Sequence, residues 1–205
     1  MTDGGGRVLV AGIGNIFLGD DGFGVEVVRR MGDVDLPARV DVVDYGIRGV
    51  HLAYDLLDGR YDALVLVDAL SLGEAAGTLG LIEVSLDDPG WTLGPADVLE
   101  TPAANAHVMD PESVLRLLRS LGGRVHRVLV VGCQPADLTE GMEMSAPVRA
   151  ALDEAVRMVA AVARDEAARL DPHGAHQGAD SPRATRRCAE GQAQPTRMVG
   201  LGADG

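Results

Sequence analysis

The amino-acid sequence predicts an α/β fold built on a largely parallel, buried sheet. Short runs rich in valine, leucine and isoleucine alternate with amphipathic stretches, the pattern of successive βαβ units. At 205 residues and 46% hydrophobic, the chain can bury one good core but hardly two. A change of composition after about Leu170 marks where that core should end.

Taken in order, strands are expected near Arg7 to Ala11, Arg39 to Val43, Ala63 to Val67, Thr78 to Glu83 and Arg127 to Val131. Helices are expected from Gly22 to Met31, Val50 to Leu57, Asp110 to Leu121 and Ala146 to Arg169. Asp110 followed by Pro111 reads as an N-cap with proline at the first helical position. Leu121-Gly122-Gly123 supplies a glycine stop. The segment Asp87 to Ala106 holds prolines, glycines and the single tryptophan, Trp91, and reads as a long loop of the kind that tends to carry function. From Asp171 to Gly205 the chain has no hydrophobic period, which predicts a folded domain over 1–170 and a disordered tail over 171–205.

Charge and composition exclude several kinds of function. The formal net charge is −13, which opposes binding to nucleic acid or to an anionic membrane surface. Every positive residue is an arginine, so a phosphate-loop lysine and a Schiff-base lysine are absent. Cys133 and Cys188 form no CxxC pair, and neither a disulfide scaffold nor a zinc knuckle is signalled. The N-terminal residues lack a signal-peptide pattern, and no apolar run is long enough to span a bilayer. These features predict a protein of the reducing cytoplasm.

The densest local signal follows the first strand, in Gly12-Ile13-Gly14-Asn15-Ile16-Phe17-Leu18-Gly19-Asp20-Asp21-Gly22-Phe23-Gly24. So many glycines mean backbone that bends tightly or approaches something closely. A dinucleotide fingerprint would need a glycine where Phe17 stands, and Asp20 and Asp21 would repel a pyrophosphate at the helix start. Two carboxylates there suit a cation or proton transfer; equally, Asp20 or Asp21 can simply cap the following helix, or one can cap while the other works.

Leu64 to Val67 is a strand ending abruptly on Asp68. In open α/β sheets the ligand crevice lies beyond the carboxyl ends of the strands, so Asp68 and the loop of Asp21 can face the same crevice, although Asp68 can also simply begin a turn. His107, at the end of the long loop, would complete a nitrogen and oxygen ligand set suited to nickel or zinc, or else be an ordinary loop histidine bonded to backbone. His51, His126, His173 and His176 are weaker candidates. No GxSxG or HExxH motif is present, and Cys133 reads as core.

In order and spacing, the Gly12 to Gly24 stretch, Asp44-Tyr45-Gly46-Ile47-Arg48-Gly49, Val67-Asp68-Ala69, His107 and Val131-Gly132-Cys133-Gln134-Pro135 resemble the hydrogenase maturation proteases. The resemblance covers roughly residues 7 to 165, and its GxGNxxxxDDGxG element is specific to that family and its close relatives. It implies a three-layer α/β/α sandwich around a five-stranded, mostly parallel twisted sheet with one antiparallel strand at an edge. It also implies a catalytic and metal-contacting site of Asp21, Asp68 and His107, with Asp21 standing where the family carries glutamate or aspartate. Asp44, Gly46, Ile47, Arg48 and Gly49 fall on an element associated with substrate recognition, and Arg48 occupies a position where smaller residues also occur. The tail 171–205 has no counterpart.

The activity so implied is that of an endopeptidase removing the C-terminal peptide from a nickel-loaded hydrogenase large-subunit precursor. Nickel would arrive with the substrate, held by its cysteine thiolates, and no resident organic cofactor is expected. The partner is the precursor, and the chain itself is expected to be a monomer that binds neither nucleic acid nor membrane. Two other readings stand beside this one: a nickel-binding assembly module without proteolysis, and a related peptidase with another substrate.

Overall fold

The computed structural model of the chain describes residues 6–84, 111–171 and 199–200. Its strands are β1 (Arg7–Ile13), β2 (Val40–Gly46), β3 (Tyr61–Ala69), β4 (Leu79–Val84), β5 (Arg127–Cys133) and the two-residue β6 (Val199–Gly200). Its helices are α1 (Phe23–Arg30), α2 (Gly49–Leu57), α3 (Pro111–Ser120) and α4 (Ala146–Arg169). The sheet order is β2-β1-β3-β5-β4-β6. β2, β1, β3 and β5 are parallel, and β4 runs antiparallel to β5. This is the expected five-strand sheet with one antiparallel strand, β4, on whose outer edge the short β6 pairs.

Three layers follow from the pleat, which sends successive side chains to opposite faces. Val8 and Val10 of β1 with Val65 and Val67 of β3 meet Phe23 and Val27 of α1 and Val148, Leu152 and Val159 of α4. Leu9, Ala11 and Ile13 with Leu64 and Leu66 meet Leu52 and Leu56 of α2 and Val114, Leu115 and Leu118 of α3 on the other face. Because both faces are covered, the strands can be apolar throughout, and each fully buried leucine contributes about 1.5–3 kcal/mol. Helix α4 lies close to the sheet through small residues, Ala151, Ala155, Ala160 and Ala163. Its one buried acid, Glu166, is held by Arg127 Nε at 2.9 Å and Arg169 Nε at 3.4 Å.

The strands run a little further than periodicity suggests. Pairing of β1 with β2 continues through Gly12 with Asp44 and, after an irregularity, Ile13 with Gly46, so Asp44 to Gly46 belong to a strand end rather than to a free loop. Helix α3 stops as expected, with the N–H groups of Gly122 and Gly123 donating to the carbonyls of Arg119 and Leu118. The expected N-cap Asp110, the loop 87–106 and most of the tail lie outside the described residues. Within the tail, Val199 and Gly200 pair antiparallel with Leu81 and Gly80, using the N–H and C=O row that an edge strand leaves open.

From β1 the chain crosses outward to β2 and then returns to place β3 on the other side of β1. That reversal makes the carboxyl ends of β1 and β3 the topological switch point, where an open α/β sheet forms its crevice. Asp68 and the glycine-rich turn both stand there.

Candidate active site

The turn after β1 is shaped by backbone contacts that admit no side chain. At Gly14 φ is +126°, and a Cβ built there would lie 1.9 Å from the Asp21 carbonyl oxygen and 3.6 Å from Oδ1 of Asp68. A Cβ on Gly24, in the first turn of α1, would lie 2.1 Å from the Val67 carbonyl and 2.4 Å from that of Ile13. The glycine pattern therefore serves close approach: α1 sits directly on the ends of β1 and β3, and Gly14 fills the narrow space between the Asp21 segment and the Asp68 carboxylate.

Asp20 and Asp21, adjacent in sequence, have opposite surroundings. Asp20 is 0% exposed. Its Oδ2 accepts hydrogen bonds from the N–H groups of Ala136 at 2.8 Å and Asp137 at 2.9 Å, and its Oδ1 accepts from the Ser145 N–H at 2.6 Å. Burial pushes this carboxyl up, but the backbone donors together outweigh burial and hold it below the usual carboxylate range. Ser145 is the N-cap residue of α4, so Asp20 clamps the β5–α4 connection to the turn rather than capping α1. Further backbone bonds, Gly19 N–H to the Gly141 carbonyl and Asp20 N–H to the Asp137 carbonyl, complete the attachment.

Asp21 is half-buried, and its Oδ2 accepts from the Asn15 N–H at 2.6 Å. Burial pushes it up, with the Asn15 bond opposing, and the net shift is upward. Asp68, 4% exposed, closes β3 with its Oδ1 accepting from the Ala69 N–H at 2.8 Å. Both carboxylates thus stand against the Gly14–Asn15 segment, Asp21 bonded to the Asn15 N–H and Asp68 next to Gly14. His107 lies outside the described residues. Among the described residues no three histidine, cysteine or acidic side chains gather as a metal site, so the described part of the expected set is its two carboxylates. These are oxygen donors that suit a divalent cation only with a further ligand from elsewhere.

The Asp44 to Gly49 element forms the neighbouring wall. Gly46 accepts from the Gly14 N–H at 3.1 Å, tying this element to the turn. The Asp44 carboxylate pairs with Arg29 Nε of α1 at 3.2 Å. Arg48 folds back so that its guanidinium donates to the carbonyls of Tyr45 at 3.2 Å and Asp44 at 2.8 Å. Gly14 to Phe17, Val25, Arg29 and Asp44 to Arg48 enclose a cavity of about 360 Å³ beside the carboxylates, while Gly49 begins α2 and is not in its lining.

Among the described residues, no other histidine or cysteine joins Asp21 and Asp68 in a group that could hold a metal. His126 is exposed and lies 3.3 Å from Asp62, by the amino ends of β5 and β3. His51 is exposed on α2, and His173 and His176 lie outside the described residues. Cys133 is fully buried, and burial pushes its thiol up to about 12, so it stays a neutral core residue.

Two positions carry more than the sequence assigns them. Gln134 accepts at Oε1 from the N–H groups of Leu72 at 2.6 Å and Gly73 at 3.0 Å, fastening the chain that leaves Asp68. Its place right after an apolar strand was the available signal. Arg29 reaches the cavity from a helix, and no local pattern announces that.

A profile of the family described as hydrogenase maturation protease matches residues 25–162, a span that includes Asp68 and His107 and starts just past Asp21. The chain is 34% identical over 179 residues to the hydrogenase expression/formation protein HupD of Rhizobium leguminosarum bv. viciae, covering 81% of this chain and 83% of that protein. It is 29% identical over 171 residues to the hydrogenase 2 maturation protease of Escherichia coli, covering 82% and 98%. Among solved structures, the hydrogenase maturating endopeptidase HybD from E. coli superposes with a TM-score of 0.60 at 26% identity, covering 78% of this chain and 93% of that one. The [NiFe] hydrogenase maturation protease HycI from Thermococcus kodakarensis does so with a TM-score of 0.57 at 25% identity, covering 78% and 94%.

Proposed function

Because the chain belongs to the hydrogenase maturation protease family and is therefore a peptidase, we propose that it removes the C-terminal peptide from a nickel-loaded hydrogenase large-subunit precursor. The observation that supports this reading is that Asp21 and Asp68 both stand against the Gly14–Asn15 segment at the switch point of the sheet. Chain segments far apart in sequence deliver two carboxylates to one crevice, and the neighbouring cavity has room for part of a peptide.

In this reading nickel belongs to the substrate, held by the precursor's own thiolates near the bond to be cut. Asp21, Asp68 and His107 dock onto it as oxygen and nitrogen donors. A precursor without nickel lacks the centre that sets the bond in register, so loading is checked before cutting. Hydrolysis places the hydroxyl of a water on the carbonyl carbon, breaks the C–N bond and passes the water's proton to the leaving nitrogen. The two carboxylates are the described groups able to carry that proton. Asp44 to Arg48 line the cavity and Gly49 anchors them to α2, which fits a role for this element in holding the precursor.

The test is the intact mass of a candidate large-subunit precursor, with and without nickel, before and after incubation with this protein. Loss of a C-terminal peptide from the loaded form alone is expected. No cleavage of the cognate loaded precursor would overturn the reading, and equal cleavage of both forms would remove nickel from it.

A further inference from the structure

The cavity beside the carboxylates is unusual in its charge. The chain as a whole is strongly acidic, with a formal net charge of −13, yet the ionised groups lining this space are two arginines and one aspartate. Asp44 is taken by Arg29, at 3.2 Å. Arg48 is held by two carbonyl oxygens and, among the described residues, makes no ion pair. Those carbonyl bonds fix the guanidinium without neutralising it, so a carboxylate that meets it pays little to order it.

The rest of the cavity is apolar. Ile16 and Val25 line it, and Phe17 and Ile47 stand at its lip, 60% and 48% exposed. Its volume of about 360 Å³ lies at the small end of ligand clefts, room for a residue or two of extended peptide and not for a folded partner. It shares Gly14 and Asn15 with the carboxylate site, and the Asn15 N–H bonds Asp21 directly. A side chain seated here therefore lies next to whatever bond the carboxylates face.

We infer that this cavity is a specificity subsite for a peptide segment carrying an apolar side chain with a carboxylate beside it, the apolar group entering among Ile16, Phe17 and Ile47 and the carboxylate meeting Arg48. The inference rests on the peptidase reading for the source of that segment, the precursor close to its scissile bond, and it makes Arg48 a specificity-determining residue.

The experiment uses the full chain, isotopically labelled, titrated with acetyl-Ala-Leu-Glu-amide and with acetyl-Ala-Leu-Gln-amide while amide signals are followed. The glutamate peptide should bind roughly fivefold more tightly, the scale of one exposed ion pair, with the largest shifts at Gly14, Gly46 and Arg48. Arg48→Gln should erase that preference and Arg48→Lys should keep part of it, with both variants retaining the wild-type spectrum elsewhere. Equal affinity for the two peptides, no binding of either, or a preference undiminished in Arg48→Gln would overturn the subsite. Binding is read without cleavage, so a chain that prefers the glutamate peptide yet processes no precursor would sink the precursor-processing reading alone.

Discussion

Asp20 and Ser145 stand 125 positions apart in sequence and are joined by a 2.6 Å hydrogen bond from the Ser145 N–H to Asp20 Oδ1. With the Ala136 and Asp137 N–H groups on its other oxygen, this carboxylate is the fastening between the glycine-rich turn and the segment that opens α4. Asp20→Ala leaves those buried donors without an acceptor, each costing about 1–3 kcal/mol. The expected result is a large loss of thermal stability, and Asp20→Asn, which keeps one acceptor oxygen, should lose less. Thermal unfolding of the two variants checks the order.

Asp21 and Asp68 should behave in the opposite way. Asp21→Asn keeps an acceptor for the Asn15 N–H, and Asp68→Asn keeps one for the Ala69 N–H, so both variants should fold with little change in unfolding temperature. Both should lose precursor processing, as should His107→Ala. Full activity in all three would remove these residues from the site.

Gly14→Ala tests the geometry of the turn itself. Its Cβ would lie 1.9 Å from the Asp21 carbonyl at a φ of +126°, so the turn must move, at a cost of order 1–3 kcal/mol or more, and processing should fall with it. Gly32→Ala is the control, because nothing lies within 4 Å of its Cβ position and φ there is not in the left-handed region. It should leave stability and activity unchanged. Equal behaviour of the two variants in an activity and melting comparison would contradict the close packing described here.

Acid sensitivity should trace in part to Asp41. The Arg7 guanidinium, bonded at 2.6 and 3.0 Å, holds this carboxyl below its ordinary value of 3.8. A folded value below the unfolded one means that the pair stabilises the fold fully above about pH 3.8 and that this stability is lost as pH falls from there through the folded value. In Asp41→Asn, the difference between stability at neutral pH and at pH 3 should shrink, and denaturant titrations at the two pH values measure it. An unchanged difference would show that the pair contributes nothing.

Cys133 should resist alkylation in the native state. Its thiol is buried and pushed up to about 12, so almost no thiolate exists at neutral pH. Peptide mass mapping after iodoacetamide treatment should find Cys133 unmodified until denaturant is added, and processing activity should survive the treatment.

The strand and helix positions were legible in the sequence because burial on both faces of a parallel sheet writes itself as local apolar runs. Val8 to Ala11, Leu64 to Val67 and Val128 to Val131 are read correctly for that reason. The crowded glycines likewise announced a close approach, and Gly14 and Gly24 make it. Asp68 was legible as a strand-end acid at the crevice.

What the sequence determined by itself, then, is the order of elements, the buried sheet, the glycine turn and the family resemblance that named Asp21, Asp68 and His107 together. Only the tertiary structure decided that Asp20 is the buried clamp and Asp21 its half-buried neighbour, that Arg29 crosses from α1 to hold Asp44, and that Arg48 makes no ion pair among the described residues. The physical reason lies in the range of the interactions. Apolar periodicity is a property of neighbouring residues, whereas the state of a carboxylate depends on which backbone N–H groups packing leaves without another acceptor. For Asp20 those groups come from residues 116 to 125 positions away, and nothing local to either segment specifies that they meet.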